Sequence, residues 1–104
     1  MKIDINLLWL QELLVNGEYY IELYNNDVDT GIMAILQNKK VIIKDNSVIM
    51  TFDSPVWKKS SIKANKAKIK SGDMIVCNID FGQEYESVNG DFKIKFPEAL
   101  IRIS

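Results

Sequence analysis

Residues 55–81, PVWKKSSIKANKAKIKSGDMIVCNIDF, carry two patterns in one run. From Met74 to Phe81 the alternation is clear: Ile75, Cys77, Ile79 and Phe81 share one face, and Asn78 and Asp80 point the other way. A period of two is the signature of a half-buried strand. Residues 58–70 are harder to read. As a helix, this segment has Ser60 for an N-cap, Ala64 and Ala67 inside, lysines near its carbonyl end and Gly72 as a stop. Its apolar stripe, however, reduces to Ile62 and Ile69. As a strand, Ile62 and Ala64 fall on one face and Ala67 and Ile69 on the other, so the strand needs a bulge near Asn65. Both readings stay open, with the balance leaning to an irregular strand and a long loop.

Outward from this run, the period of two recurs. Tyr19–Tyr24, Gly31–Gln37, Val41–Lys44 and Val48–Asp53 are rich in Ile, Val, Tyr and Phe, and the polar pairs Asn25-Asn26, Asn38-Lys39 and Asp45-Asn46 separate them. Glu84–Val88, Asn89-Gly90 and Asp91–Phe96 spell a hairpin, because Asn-Gly suits the left-handed residues of a type I′ turn. Pro97 breaks that strand, and Ala99–Ile103 forms another. The amino-terminal stretch differs. Asp4 is an N-cap candidate, Leu7, Leu10 and Leu14 recur at helical spacing, and Gly17 is a stop, which predicts one short helix. The expected fold is therefore mainly β, with a minor helical part. A short N-terminal helix precedes about seven or eight short antiparallel strands, and these form a small barrel or sandwich, the economical way to hide strand edges.

At 104 residues the chain fits a single domain spanning residues 1–104. Its apolar runs fall far short of the ~20 residues of a membrane helix, and no signal-peptide cleavage site is present. The expectation is a cytoplasmic protein with no membrane contact. Twelve lysines against one arginine, with fifteen isoleucines and nine asparagines, are residues of AT-rich codons and point to a low-GC bacterium or its phage.

The chemistry is bounded by what is missing. The chain has no histidine, which removes the commonest general base and metal ligand and every Ser-His or Cys-His nucleophile pair. One cysteine, Cys77, cannot form an internal disulfide, and its place on an apolar strand face reads as structural. One Cys and no His offer no zinc site. The run Asn25–Gly31 fails as an EF-hand loop: Gly31 comes one place late and Leu36 stands where a bidentate Glu is required. A polar hairpin turn is the better reading. Glu84 and Glu86 read as a solvated strand edge. No catalytic residue, metal or cofactor is assigned.

The run Lys70–Gly82, in which Gly72-Asp73 precedes an apolar strand, resembles the opening strand of MazF-like endoribonuclease barrels and of several SH3-like barrels. In the toxin family this strand begins the barrel. Here too little chain follows to complete one, so no residue role is carried over and no family is assigned.

The lysines remain. Residues 58–70 hold a charge of +6 and the rest of the chain −7, a bipolar distribution that can attract phosphate or a carboxylate-rich surface. A solvated, solubility-protecting loop is the bland alternative. The candidate partner-binding residues are Trp57, Lys58, Lys59, Lys63, Lys66, Lys68 and Lys70, although Trp57, after Pro55 and Val56, also reads as a plug at the core edge. The expected function is a small non-enzymatic binding protein, an accessory, inhibitor or immunity-type factor, docked on an acidic protein surface. The alternative is a small barrel that binds single-stranded nucleic acid, and a third class is a structural or assembly subunit. The oligomeric state is not legible.

Overall fold

In the computed structural model, residues 1–6, 17–44, 47–96 and 101–103 are described. They form eight strands: β1 (Lys2–Ile5), β2 (Tyr19–Asn25), β3 (Val28–Ile35), β4 (Gln37–Lys44), β5 (Ser47–Asp53), β6 (Val56–Ser71), β7 (Met74–Lys93) and β8 (Ile101–Ile103). Five lie in one antiparallel sheet, ordered β1-β7-β6-β2-β3, and three in a second, ordered β4-β5-β8. The sheets contribute to a single apolar cluster, in which Phe96 meets Phe52 at 5.5 Å and Phe81 at 6.5 Å between ring centroids. β1 and β3 are the free edges of the larger sheet, so the described strands close no barrel.

Two expectations are corrected here. Asp4 is not an N-cap, since it lies inside β1 opposite Asn78, and Ile5 after it pairs with Cys77. A cap must be followed by helical residues, and these are extended. The body of the predicted helix, residues 7–16, lies outside the described residues, which contain no helix. The second correction concerns Asn89-Gly90. No hairpin turns there; β7 runs on for 20 residues. Asn89 does adopt a left-handed φ of 49°, but the ladder absorbs it as a bulge, where Ser60 faces Gly90 and Ile62 faces Ser87. The Ser87 hydroxyl fills the gap by donating to the Ser60 carbonyl (2.7 Å) and accepting from the Ile62 amide (3.2 Å). A left-handed Asn serves a bulge as well as a turn, and serine side chains decide between them by replacing the lost ladder bonds.

The ambiguous lysine segment is a strand. β6 spans 16 residues and pairs with β2 on one side and β7 on the other. The ladder is irregular between Ala64 and Lys66, and Ile62, Ala64, Ala67 and Ile69 all reach the core. A strand whose apolar residues change parity buries both sets only where its ladder is interrupted, and here Asn65 of β6 lies against four residues of β7, 81–84, between the paired positions. It also ties β6 to the β2–β3 turn. Its Oδ1 accepts the Asn26 amide and its Nδ2 donates to Asn26 Oδ1, both at 3.1 Å.

The β2–β3 connection is a two-residue hairpin. Asn26 and Asp27 have φ of 51° and 65°, as a type I′ turn requires, and Asn and Asp tolerate that region. The polar-turn reading of Asn25–Gly31 therefore holds. Farther along, the β6–β7 ribbon curves back on itself. Asn65 sits beside the β2–β3 turn, yet eight residues earlier the Trp57 indole donates its Nε1–H to the Met33 carbonyl on β3 (3.1 Å). Its ring stands edge-on to Phe92 at 5.9 Å. This curvature divides β6 into a half flanked by two strands and an end flanked by one.

Candidate docking surface

The outer face of the larger sheet is a grid whose columns are strands and whose rows are cross-strand partners. One row runs Lys2, Asp80, Lys66, Tyr24, Asp29; the next runs Asp4, Asn78, Lys68, Glu22, Met33; a third joins Lys70, Tyr20 and Ile35. Alternation forces this arrangement. With Ala67 and Ile69 in the core, Lys66, Lys68 and Lys70 face outward, as do Tyr20, Glu22 and Tyr24 around the buried Tyr19, Ile21 and Leu23.

The acids of this grid neutralise much of the lysine charge. Lys70 Nζ lies 2.6 Å from Glu22 Oε1, Lys66 Nζ 2.9 Å from Asp27 Oδ1 and Lys63 Nζ 3.5 Å from Glu84 Oε1. Opposite charges on neighbouring strands are the sheet's usual stabilising pairs. The hydrogen bond to Glu22 raises the pKa of Lys70 above the ordinary lysine value, and the bond to Asp27 does the same for Lys66. Reciprocally, Lys66 holds the Asp27 carboxyl below its usual range. Lys68 has no ion pair among the described residues; its ammonium sits 4.7 Å from the centre of the Tyr24 ring. Partial burial, reinforced by the Glu22 carboxylate, pushes the Tyr24 hydroxyl above its ordinary pKa. Beside these groups lies an open concavity of about 410 Å³, lined by Asp4, Tyr24, Asp27, Lys66, Lys68 and Asp80 among others. Its charged lining is two lysines against three carboxylates.

Lys58 and Lys59 lie elsewhere, on the curved end of the ribbon. Both are exposed, and among the described residues neither has an ion pair. Trp57 between them and the core is half buried, with its N–H and ring edge engaged as given above. The structure therefore divides the seven candidate residues into four on the sheet face (Lys63, Lys66, Lys68, Lys70) and three at the ribbon end (Trp57, Lys58, Lys59). Sequence reasoning missed Lys93 and Lys95. β7 pairing sets Lys93 opposite Val56, and Lys95 is exposed between buried Ile94 and Phe96. The alternation Phe92-Lys-Ile-Lys-Phe96 carried the signal, but a hairpin ending at Asn89-Gly90 hid which strand these lysines would adjoin.

Cys77 is buried opposite Ile69, and burial pushes its thiol up to about 12. A thiol so rarely ionised is neither nucleophile nor metal ligand at neutral pH. Among the described residues no three Cys, Asp or Glu side chains gather as a metal site, and no helix is long and apolar enough to cross a membrane. No protein-family model, curated protein sequence or solved structure matches the chain.

Proposed function

We propose that this chain is a non-enzymatic binding domain that docks its lysine-bearing strand β6 on the acidic surface of another protein, as an accessory, inhibitor or immunity-type factor of a low-GC bacterium or its phage. The observation that carries the reading is the uneven treatment of the β6 lysines. Three are tied to Glu22, Asp27 and Glu84, while Lys58, Lys59 and Lys68 have no carboxylate partner among the described residues. A cation held beside its own carboxylate has little to offer a partner, whereas an unpaired one keeps its full field for steering and docking.

Single-stranded nucleic acid is the second reading, favoured by Tyr20 and Tyr24 on a sheet face that also bears lysines. Stacking platforms and a positive groove are its two requirements. The face supplies the first, but Asp4, Glu22, Asp27, Asp29 and Asp80 lie among the same lysines, so the groove a phosphate backbone would follow is not positive.

The test is a pull-down from nuclease-treated lysate of a low-GC bacterium, with the wild-type chain and a Lys58→Gln/Lys59→Gln/Lys68→Gln variant. A protein retained by the first, released by salt and lost with the second is the expected result. Retention that depends on intact nucleic acid would instead favour the second reading.

A further inference from the structure

We infer that the docking surface is the curved end of the β6–β7 ribbon, where Lys58 and Lys59 of β6 join Lys93 and Lys95 around the exposed Val56, and that its partner is a carboxylate-rich protein surface bearing apolar side chains. This rests on the reading above and moves its centre away from the sheet face.

Charge is the first ground. Within residues 56–60 and 90–96 there are four lysines and one carboxylate, Asp91. The concavity on the sheet face has the opposite balance, with Asp4, Asp27 and Asp80 against Lys66 and Lys68. Asp91 does not neutralise a lysine by any ion pair among the described residues; its Oδ1 accepts the backbone amide of Lys59 at 3.4 Å. Of these two regions the ribbon end therefore carries the larger positive excess, although the lysine density of the sequence peaks at residues 63–70.

The backbone supplies the second ground. Among the described residues, five other than glycine have positive φ: Asn26, Asp27, Asn38, Asn89 and Lys59. The first four are the residue types that tolerate the left-handed region by bonding locally. Lys59, at φ 49°, is the exception. An Asn or Gly would sit there with less strain, so the lysine is kept against local preference, and residues of that kind gather where a side chain is used.

Apolar exposure is the third. Val56 is 43% exposed directly opposite Lys93, and Val88, in the neighbouring bulge, is 73% exposed. Exposed valines on the two lysine-bearing strands suit a protein surface, which covers apolar area while pairing charge at its rim; the sheet face also exposes Met33 and Ile35, but among the carboxylates named above. The valines do not suit a nucleic acid, because the aromatic rings of this end are turned inward: Phe92 is 2% exposed and Trp57 is bonded to Met33.

The experiment uses the full chain, isotopically labelled, titrated separately with a glutamate-rich peptide carrying interspersed leucines and with a single-stranded oligonucleotide of the same charge. Amide shifts induced by the peptide should centre on residues 56–60 and 90–95. Lys59→Asn/Lys93→Gln should weaken peptide affinity about tenfold, since each exposed charge contribution is modest and two together approach one decade. It should melt no lower than wild type. Lys63→Gln/Lys66→Gln, at two lysines already paired with Glu84 and Asp27, should bind the peptide as wild type does. Peptide shifts centred on residues 66–70 would overturn the ribbon-end assignment while leaving the acidic-partner reading intact. Binding of the oligonucleotide in preference to the peptide, or of neither, would overturn both.

Discussion

The two parts of β6 carry lysines at similar density in very different electrical surroundings. From Lys63 to Lys70 acids of the flanking β2–β3 hairpin and β7 reach it, and Glu22, Asp27 and Glu84 each take a lysine. From Val56 to Ser60 β7 is the only strand that pairs with it among the described residues, and the chain there adds Lys93 and, just past the end of β7, Lys95. A run of like charge in a sequence is thus not yet a field. In a sheet, the field is set by which residues the neighbouring strands place across from it, and a segment with one neighbour keeps charge that a segment with two loses.

The core beneath the flanked half gives the largest expected effect. Cys77 pairs with Ile69, and its thiol is pushed up to about 12, against about 8.5 for a free cysteine. Labelling by a thiol reagent near neutral pH should be at least ~10³-fold slower in the native protein than in denaturant. Rapid native labelling would mean that this half opens freely and that the contrast with the ribbon end is one of charge alone.

Side-chain truncation measures the same contrast in stability. Ile69 is fully buried and Val56 is 43% exposed. Ile69→Ala should destabilise by about 2–4 kcal/mol through lost burial and the cavity left behind, and Val56→Ala by less than ~0.5 kcal/mol. Denaturant unfolding reads both. A large loss at Val56 would show that the ribbon end is covered within the molecule and is no free surface. Next comes the most enclosed of the ion pairs: Lys70 and Glu22 side chains are 22% and 18% exposed. Glu22→Gln keeps the shape and removes the charge, and it should destabilise by about 1 kcal/mol. Lys58→Gln, with no carboxylate to lose, should leave stability unchanged.

Much of this division was written in the sequence, though not all of it was readable there. The parity change between Ala64 and Ala67 located the Asn65 bulge, because burial of both pairs admits no regular strand. Cys77 was legible from its alternating neighbours. The short β1 was not: Lys2-Ile-Asp-Ile5 alternates, but four residues before a leucine-rich run read equally well as a helix entry, and only pairing with β7 settles the matter. Asn89-Gly90 misled for a related reason. Local sequence fixes a left-handed φ, whereas turn or bulge depends on whether Ser60, Ser61 and Ser87 are across the ladder to satisfy the displaced groups. The lysines were counted correctly and their field was not, since Glu22 lies 48 residues from Lys70 along the chain and Asp27 lies 39 from Lys66. Lys93 and Lys95 join the site only through the same long-range pairing.

The smallest expected effect is the sharpest on the comparison itself. Lys66 holds the Asp27 carboxyl below its usual range, and Asp27 raises Lys66 above the ordinary lysine value. A depressed carboxylate stabilises the fold above its ordinary pKa of about 4, and the contribution fades as pH falls through the lower folded value. A raised lysine stabilises below its ordinary pKa of about 10.4 and loses the contribution as pH climbs through the higher folded value. The pair should therefore contribute between about pH 4 and 10, and both groups are exposed, so the contribution is small and salt-sensitive. A double-mutant cycle with Lys66→Gln and Asp27→Asn should show coupling in that window that vanishes at acid pH and in ~1 M salt. The matching cycle at the ribbon end, Lys59→Gln with Asp91→Asn, should show none at any pH, because Asp91 accepts the Lys59 backbone amide and no ion pair among the described residues joins the two side chains. Equal coupling at the two sites would mean that the ribbon-end cations are as neutralised as those of the sheet face, and the asymmetry that assigns the docking surface would be gone.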